Sequence, residues 1–224
     1  MNRELLRAMT AEAIGTFALI FAGCGAIMVD ARTGALGHVG VAISYGLVIM
    51  VMIYAVGHIS GAHFNPAVTL AFATSRHFPV GRVPAYWAAQ LAGATAAALV
   101  LRGSLGDVAH VGATLPAGSG GQAFLWEAVL SFFLMFVIMA VATDTRAVGE
   151  AAAIAIGATV GLDAMFGGPI TGASMNPARS LGPAIAAGYL GSIWVYLTAP
   201  PLGAVVAAAT YKLLRDAGPA REPA

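Results

Sequence analysis

The sequence predicts an all-α membrane protein in which six spanning helices and two half-length helices form an inverted repeat. Three observations predict this fold class. Of the 224 residues, 59% are hydrophobic and only 9% are charged, whereas soluble domains carry roughly a quarter charged residues. Six apolar stretches have the length of a membrane helix, about 20 residues. Two shorter segments open with the same motif, one in each half of the chain.

The six apolar stretches account for most of the chain. They lie at about 8–29, 38–58, 83–101, 122–143, 150–166 and 190–211. The first begins behind two arginines, as a signal peptide does, but its length favours a membrane helix. The fifth is expected to end at Gly167-Gly168-Pro169, because glycine and proline interrupt helices. One membrane domain, 1–224, is therefore expected, with no room for a separate catalytic domain.

Two segments, 65–75 and 176–187, are too short to cross a membrane. At 1.5 Å per residue, each covers about half of a hydrocarbon layer of roughly 30 Å. The stretch 61–70 matches 172–181 at six of ten positions, including Asn-Pro-Ala in both. A match of this length in corresponding positions indicates an internal repeat.

A second correspondence supports the repeat, because an acid lies inside the first and the fourth apolar stretch. Glu12 precedes the first Asn-Pro-Ala motif by 53 residues, and Glu127 precedes the second by 49. The predicted repeats are 1–112 and 118–224, joined by a Gly/Pro/Ser-rich linker. Each holds three spans, an odd number, so the two repeats are expected to cross the membrane in opposite orientations.

The distribution of basic residues agrees with this topology. With both termini in the cytoplasm, eight Lys and Arg residues fall on the inner side and two on the outer side, as the positive-inside rule expects. The inner residues are Arg3, Arg7, Arg76, Arg82, Arg146, Lys212, Arg215 and Arg221, and the outer ones are Arg32 and Arg102. Arg179 falls inside a half-length segment and is counted on neither side.

Each Asn-Pro-Ala motif predicts a helix start. The motifs are Asn65-Pro66-Ala67 and Asn176-Pro177-Ala178. Asn is a favoured N-cap, Pro fits the first helical position, and Ala lets another backbone approach closely. Half-helices that enter from opposite faces and start at the midplane present two positive dipole ends and two amides there. Irregular backbone at this depth must be buried or line a wet cavity, which predicts a pore or a midplane binding site.

The paired motifs in a six-span chain resemble those of the aquaporin, or major intrinsic protein, family over essentially the whole length. The resemblance implies six tilted helices, two re-entrant half-helices, a pore in each subunit and a homotetramer in the lipid bilayer. It implies a passive channel for water and small uncharged solutes that excludes protons and ions. Asn65 and Asn176 would then be midplane donors, and Arg179 the cation of the outer constriction.

The resemblance also implies a four-residue outer filter. By spacing from the motifs, its positions are Tyr45, Ala164, Ala173 and Arg179. Strict water channels resemble a pattern with His at the Ala164 position. Glycerol channels place a second aromatic near Ala173 and Asp where Ser180 stands. The stretch 168–183 resembles nodulin-like intrinsic proteins and their prokaryotic relatives, which pass water, glycerol and neutral hydroxides such as silicic, boric or arsenous acid. Broad selectivity is expected, and a strict water channel is the narrower alternative.

Several ionisable residues inside the apolar regions have two interpretations. Glu12 and Glu127 suit a proton relay or, as the resemblance implies, acceptors for backbone N–H groups of the loops before the half-helices. His63 either lines the inner pore mouth or bonds its own loop, and His58 has the same ambiguity. Asp163 either orients solute or caps a helix end, and the cap is favoured.

Other function classes receive no support. The sequence contains no Ser/His/Asp set, no metal-spaced His/Cys cluster and no phosphate loop, so neither enzyme activity nor a cofactor or metal is expected. A net charge of +1 provides no field for nucleic acid. Cys24, the single cysteine, is interpreted as a buried apolar residue without a function.

Two alternatives from other classes stay open. An ion-coupled secondary transporter also uses inverted repeats and broken helices around a midplane site. A junction protein with a closed pore would have the same span pattern. The expected location is a bacterial inner membrane with both termini cytoplasmic.

Overall fold

The computed structural model describes residues 2–143 and 151–216, within which the chain forms helices and no strand. The helices are α1 (Arg3–Thr33), α2 (Gly37–Ser60), α3 (Pro66–Thr74), α4 (Val83–Leu105), α5 (Ala109–Gly112), α6 (Gly120–Thr143), α7 (Ala152–Thr171), α8 (Pro177–Ala187) and α9 (Ile193–Asp216). A 3-10 turn, Val80–Arg82, precedes α4. Arg146, Arg221 and the expected start of the fifth span at residue 150 lie outside the described residues.

Six helices, α1, α2, α4, α6, α7 and α9, are long and apolar enough to cross a membrane. The predicted all-α fold with six spans is therefore confirmed. Several helices extend past the predicted apolar stretches, because polar residues continue a helix beyond the hydrocarbon layer. In α1 the polar first turn is capped by Asn2, whose Oδ1 accepts a hydrogen bond from Leu5 N at 2.8 Å.

Helix α7 does not end before Gly167, so the predicted end of the fifth span is wrong. Proline has no N–H, so Pro169 leaves the carbonyl of Met165, four residues earlier, without its helical donor. His38 of α2 lies there instead, with Nε2 2.6 Å from Met165 O. The helix continues to Thr171 and ends at Gly172, where a φ of 83° suits glycine.

Glycines allow the closest crossings between spanning helices. A Cβ at Gly93 of α4 would overlap the carbonyl of Ala13 in α1, and one at Gly203 of α9 would overlap the carbonyl of Ala128 in α6. Small residues at such crossings let helix backbones approach within lipid. Ala13 directly follows Glu12, and Ala128 directly follows Glu127. The two helix crossings therefore position these two acids.

The two short helices fill the space between the spanning ones. Helix α3 packs against α4 and α9, and α8 packs against α4 and α9. Both begin with Pro and are almost entirely buried along their length. Their N-terminal ends therefore lie inside the helix bundle and not at its surface.

Candidate functional site

The asparagines of the two motifs cap the two half-helices. Asn65 Oδ1 accepts a hydrogen bond from Ala67 N at 2.8 Å. Asn176 Oδ1 accepts from Ala178 N at 3.0 Å and from Arg179 N at 3.2 Å. Pro66 and Pro177 occupy the first helical position, where a missing N–H costs nothing. The positive ends of both helix dipoles are thus fixed at these two residues.

The side-chain amides of the two asparagines also join the half-helices to each other. Asn65 Nδ2 donates to the carbonyl of Met175, which precedes Asn176, at 2.7 Å. Asn176 Nδ2 donates to the carbonyl of Phe64, which precedes Asn65, at 2.8 Å. Each amide carries a second hydrogen, for which residues 2–143 and 151–216 provide no acceptor. One hydrogen of each amide is therefore structural, a division that the sequence did not predict.

The carboxylate of Glu12 accepts hydrogen bonds from the loop that precedes α3. Glu12 Oε1 accepts from His63 N at 2.9 Å and from Ser60 Oγ at 2.7 Å, and Oε2 accepts from Phe64 N and Gln90 Nε2, both at 2.7 Å. The carboxylate is fully buried. This loop has left-handed backbone at several residues and cannot pair its own N–H groups as a helix does.

The loop before α8 has the same arrangement around Glu127. Glu127 Oε1 accepts from Ser174 N at 2.8 Å and from Thr171 Oγ1 at 2.7 Å, and Oε2 accepts from Met175 N at 2.7 Å. Glu127 is also fully buried. Both acids thus have the geometry of acceptors for loop N–H groups, the structural alternative considered for them.

The two histidines differ in position. His63 is buried and borders the central cavity. Its Nδ1 lies 3.0 Å from Thr69 Oγ1, so its side chain contacts helix α3 and not its own loop. Its ring packs against an aromatic cluster that includes Tyr86. His58 is exposed and does not border the cavity. Across the described parts of the chain, no three His, Cys, Asp or Glu side chains are grouped to hold a metal ion.

A cavity of about 130 Å³ runs beside the two motif asparagines. Its walls are mostly aliphatic side chains from α1, α2, α6 and α7, and its polar lining includes both asparagines and His63. All four predicted filter positions border it: Tyr45, Ala164, Ala173 and Arg179. The chain thus brings together a largely apolar cavity, two helix N-termini and a buried cation.

Arg179 is held in place by backbone and by an aromatic ring. It is only 2% exposed, and Nη1 donates to the carbonyl of Gly112 at 2.8 Å. Its Cζ lies 5.0 Å from the centre of the Tyr45 ring, within the range of a cation–π contact. Its Nε has no hydrogen-bond partner among the described residues. Arg179 also borders the cavity, so its guanidinium places a full positive charge there.

Sequence reasoning missed two residues beside Arg179. The Gly112 carbonyl reaches it because Ala109, His110 and Val111 have consecutive left-handed backbone, which no motif predicts. Cys24 lies with Sγ 3.4 Å from Arg179 Nη1, although its sequence surroundings indicate only an apolar residue. Burial of the thiol was expected, but its contact with the filter cation was not.

Asp163 lies within α7 and not at a helix end, so its interpretation as a cap is wrong. The helix continues for eight residues beyond it, to Thr171. The side chain is 2% exposed, and Oδ2 has no partner in the described ranges. Asp163 immediately precedes the cavity-lining Ala164, behind the wall of the passage.

Comparisons with known proteins identify the family. The Major intrinsic protein model matches residues 1–211. Aquaporin NIP1-1 of Oryza sativa subsp. japonica is 56% identical over 212 residues, which cover 94% of this chain and 75% of that protein. Nodulin-26 of Glycine max is 52% identical over 212 residues, which cover 94% and 78%. The resemblance to nodulin-like proteins is therefore confirmed.

A solved structure supports the same assignment. The X-ray structure of the aquaglyceroporin from Plasmodium falciparum aligns with a TM-score of 0.81 at 28% identity, over 92% of this chain and 95% of that chain. The expectation of a bacterial inner membrane is not supported, because the relatives compared above are plant proteins. With its six spans and two capped half-helices, this integral multi-pass membrane protein belongs to the Major intrinsic protein family.

Proposed function

We propose that the chain is a passive channel that conducts water and small uncharged solutes and excludes protons and ions. The observation that carries the proposal is the cavity that borders both capped helix N-termini and the buried guanidinium of Arg179. Members of the Major intrinsic protein family are channels and not enzymes. A passage of this kind needs no cofactor.

Charge exclusion follows from the positive groups beside the cavity. Each helix N-terminus carries about half a positive charge, and the two meet where the Asn65 amide donates to the Met175 carbonyl and the Asn176 amide donates to the Phe64 carbonyl. Arg179 adds a full charge next to Tyr45. A cation at either point loses hydration and meets repulsion, whereas a neutral solute receives hydrogen bonds from the free amide hydrogens and from the guanidinium.

Small side chains in the filter favour solutes larger than water. Ala164 and Ala173 border the cavity with one methyl group each, and most of the remaining wall is aliphatic. An aliphatic wall suits the carbon skeleton of glycerol, and Arg179 suits its hydroxyl groups. Neutral metalloid hydroxides offer the same hydroxyl pattern. The proposed solutes are therefore water, glycerol and boric, silicic or arsenous acid, with a strict water channel as the alternative.

Flux into proteoliposomes tests the proposal. We expect stopped-flow water and glycerol entry that needs no ion gradient and has a low activation energy. Saturable uptake that requires protons or sodium would instead support the secondary transporter. Absence of any flux from folded, reconstituted protein would support the closed junction protein.

Replacing Ala164 by His together with Ala173 by Thr is expected to lower glycerol and boric acid flux about tenfold, equal to about 1.4 kcal/mol in barrier height. The imidazole would fill the space that the alanines leave and add a donor suited to water. Water flux is expected to change much less. Ala158→His is the matched control, because Ala158 is exposed on the same helix. Unchanged glycerol flux in the double variant would mean that these positions are not the filter.

Arg179→Val is expected to increase cation and proton leak, because it removes the full charge and keeps an apolar side chain of moderate size. Proton leak is measured with a pH-sensitive dye trapped in the vesicles. Arg32→Val is the control, since Arg32 is exposed and, among the described residues, bonds the carbonyl of Leu105 alone. If Arg179→Val excludes cations as the natural chain does, the helix N-termini alone provide the barrier.

The proposal includes the internal symmetry and the assembly. Matching contacts of Glu12 and Glu127 with their loops support repeats at 1–112 and 118–224. The two repeats are proposed to cross the membrane in opposite orientations, with both termini of the chain in the cytoplasm. A homotetramer with a pore in each subunit stays a prediction from family membership.

A further inference from the structure

Cys24 of α1 lies where three parts of the proposed filter meet. Its Sγ is 3.4 Å from Tyr45 Oη on α2, 3.4 Å from Arg179 Nη1 on α8 and 3.6 Å from the carbonyl of Gly112 on the connecting segment. The residue is completely buried. One side chain outside the four filter positions thus contacts both polar members of the filter.

We propose that Cys24 is a positioning residue that fixes Tyr45 and Arg179 relative to each other, and thereby sets the ratio in which uncharged solutes pass. This inference rests on the proposed channel function. A thiol has one weak donor and a sulfur that accepts weakly. Its S–H donates to the Gly112 carbonyl, and the sulfur accepts from the Tyr45 hydroxyl and the Arg179 guanidinium, so every contact has a donor and an acceptor.

The surrounding backbone leaves space for this arrangement. A Cβ at Gly23 would overlap the ring of Tyr45, and a Cβ at Gly112 would lie 2.7 Å from Cys24 Cβ. Two glycines therefore admit the Tyr45 ring on one side of Cys24 and the connecting segment on the other. The tyrosine ring packs toward α1, and its hydroxyl is bonded to the thiol and not directed at a solute.

This position of Tyr45 has a consequence for the passage. The ring lies beside Arg179, with its centre 5.0 Å from the guanidinium carbon. With its hydroxyl bound at Cys24, the ring forms a fixed wall. Without the thiol, the Tyr45 hydroxyl and the Arg179 guanidinium each lose one contact, and both side chains gain freedom to change the width of the passage.

The glycerol-to-water permeability ratio tests the inference. Cys24→Ala is expected to change this ratio about fivefold, since the three weak sulfur contacts together amount to about one ordinary hydrogen bond. Cys24→Ser is expected to restore the ratio toward the natural value. Tyr45→Phe removes the same bond from the other side. The double variant Cys24→Ala with Tyr45→Phe is therefore expected to resemble the single variants, because coupled residues are not additive.

Two results would overturn the inference: a natural ratio in folded Cys24→Ala protein, or fully additive effects in the double variant. A merely structural role would lower the amount of folded channel and leave the ratio unchanged. If Cys24→Ala does not fold, Tyr45→Phe is the deciding variant, because it keeps the thiol. A natural glycerol-to-water ratio in Tyr45→Phe would then overturn the inference. Failure of the proposed function is distinct, because it is seen in the unmodified chain, which would then show no flux or only uptake that requires an ion gradient.

Discussion

Glu127→Gln is expected to lower the stability of the folded channel by several kcal/mol and to remove most water flux. The carboxylate accepts from Ser174 N, Thr171 Oγ1 and Met175 N. A glutamine replaces one of the two acceptor oxygens by an N–H donor. In one orientation of the amide this donor faces Ser174 N and Thr171 Oγ1, and in the other it faces Met175 N. An unsatisfied buried donor costs about 1–3 kcal/mol, and here at least two donors face each other. The loop that holds Asn176 would lose its position.

This loss of stability is measured by heating the protein in detergent and determining the remaining folded fraction by size-exclusion chromatography. Glu4→Gln is the matched control, since Glu4 is exposed at the start of α1 and pairs with Arg82 at 3.0 Å, its one ion pair in the described parts of the chain. Exposed pairs contribute about 0–1 kcal/mol, so the control is expected to unfold near the natural temperature. An unchanged unfolding temperature for Glu127→Gln would mean that an uncharged side chain suffices at this position.

Gly93→Leu is expected to prevent folding of the helix bundle. The Cβ would overlap the carbonyl of Ala13, a backbone atom that cannot move aside as a side chain can. Helices α1 and α4 would have to separate, and this would pull Glu12 away from the loop before α3. The expected result is aggregation or degradation of most of the protein, measured as the monodisperse fraction after extraction.

Gly103→Leu provides the control for this prediction. Gly103 lies on the same helix, and a Cβ there would meet no atom within 4 Å. The same change of residue type, with the same effect on helix propensity, is therefore made in open space. Equal loss of folded protein in both variants would mean that added side-chain bulk anywhere on α4, and not the crossing with α1, determines the outcome.

The sequence predicts those features that depend on one element at a time. Apolar runs of sufficient length predict the six spans, and Asn followed by Pro predicts the start of each half-helix, because capping is local. Two matching Glu residues predict their loop contacts because the pattern occurs twice. The family resemblance implies the filter positions Tyr45, Ala164, Ala173 and Arg179, which all border the cavity.

The features that sequence missed each depend on a second element. Helix α7 passes through Pro169 because His38, on another helix, contacts the carbonyl that proline leaves without a donor. Cys24 contacts Arg179, which lies 155 positions later, and Gly112 contributes only a backbone carbonyl, which no residue type predicts. The capping role favoured for Asp163 is wrong because it assumed that α7 ends before Gly167, whereas the helix continues to Thr171.

The exchange of amide-to-carbonyl bonds between the two asparagine motifs also constrains how the chain is assembled during synthesis. The partners are 110 and 112 positions apart, so the Asn65 amide and the Phe64 carbonyl lack these partners until the second half has been made. An unpaired backbone group in hydrocarbon costs several kcal/mol. We therefore expect residues 61–74 to reach their final depth only after the second half of the chain has emerged.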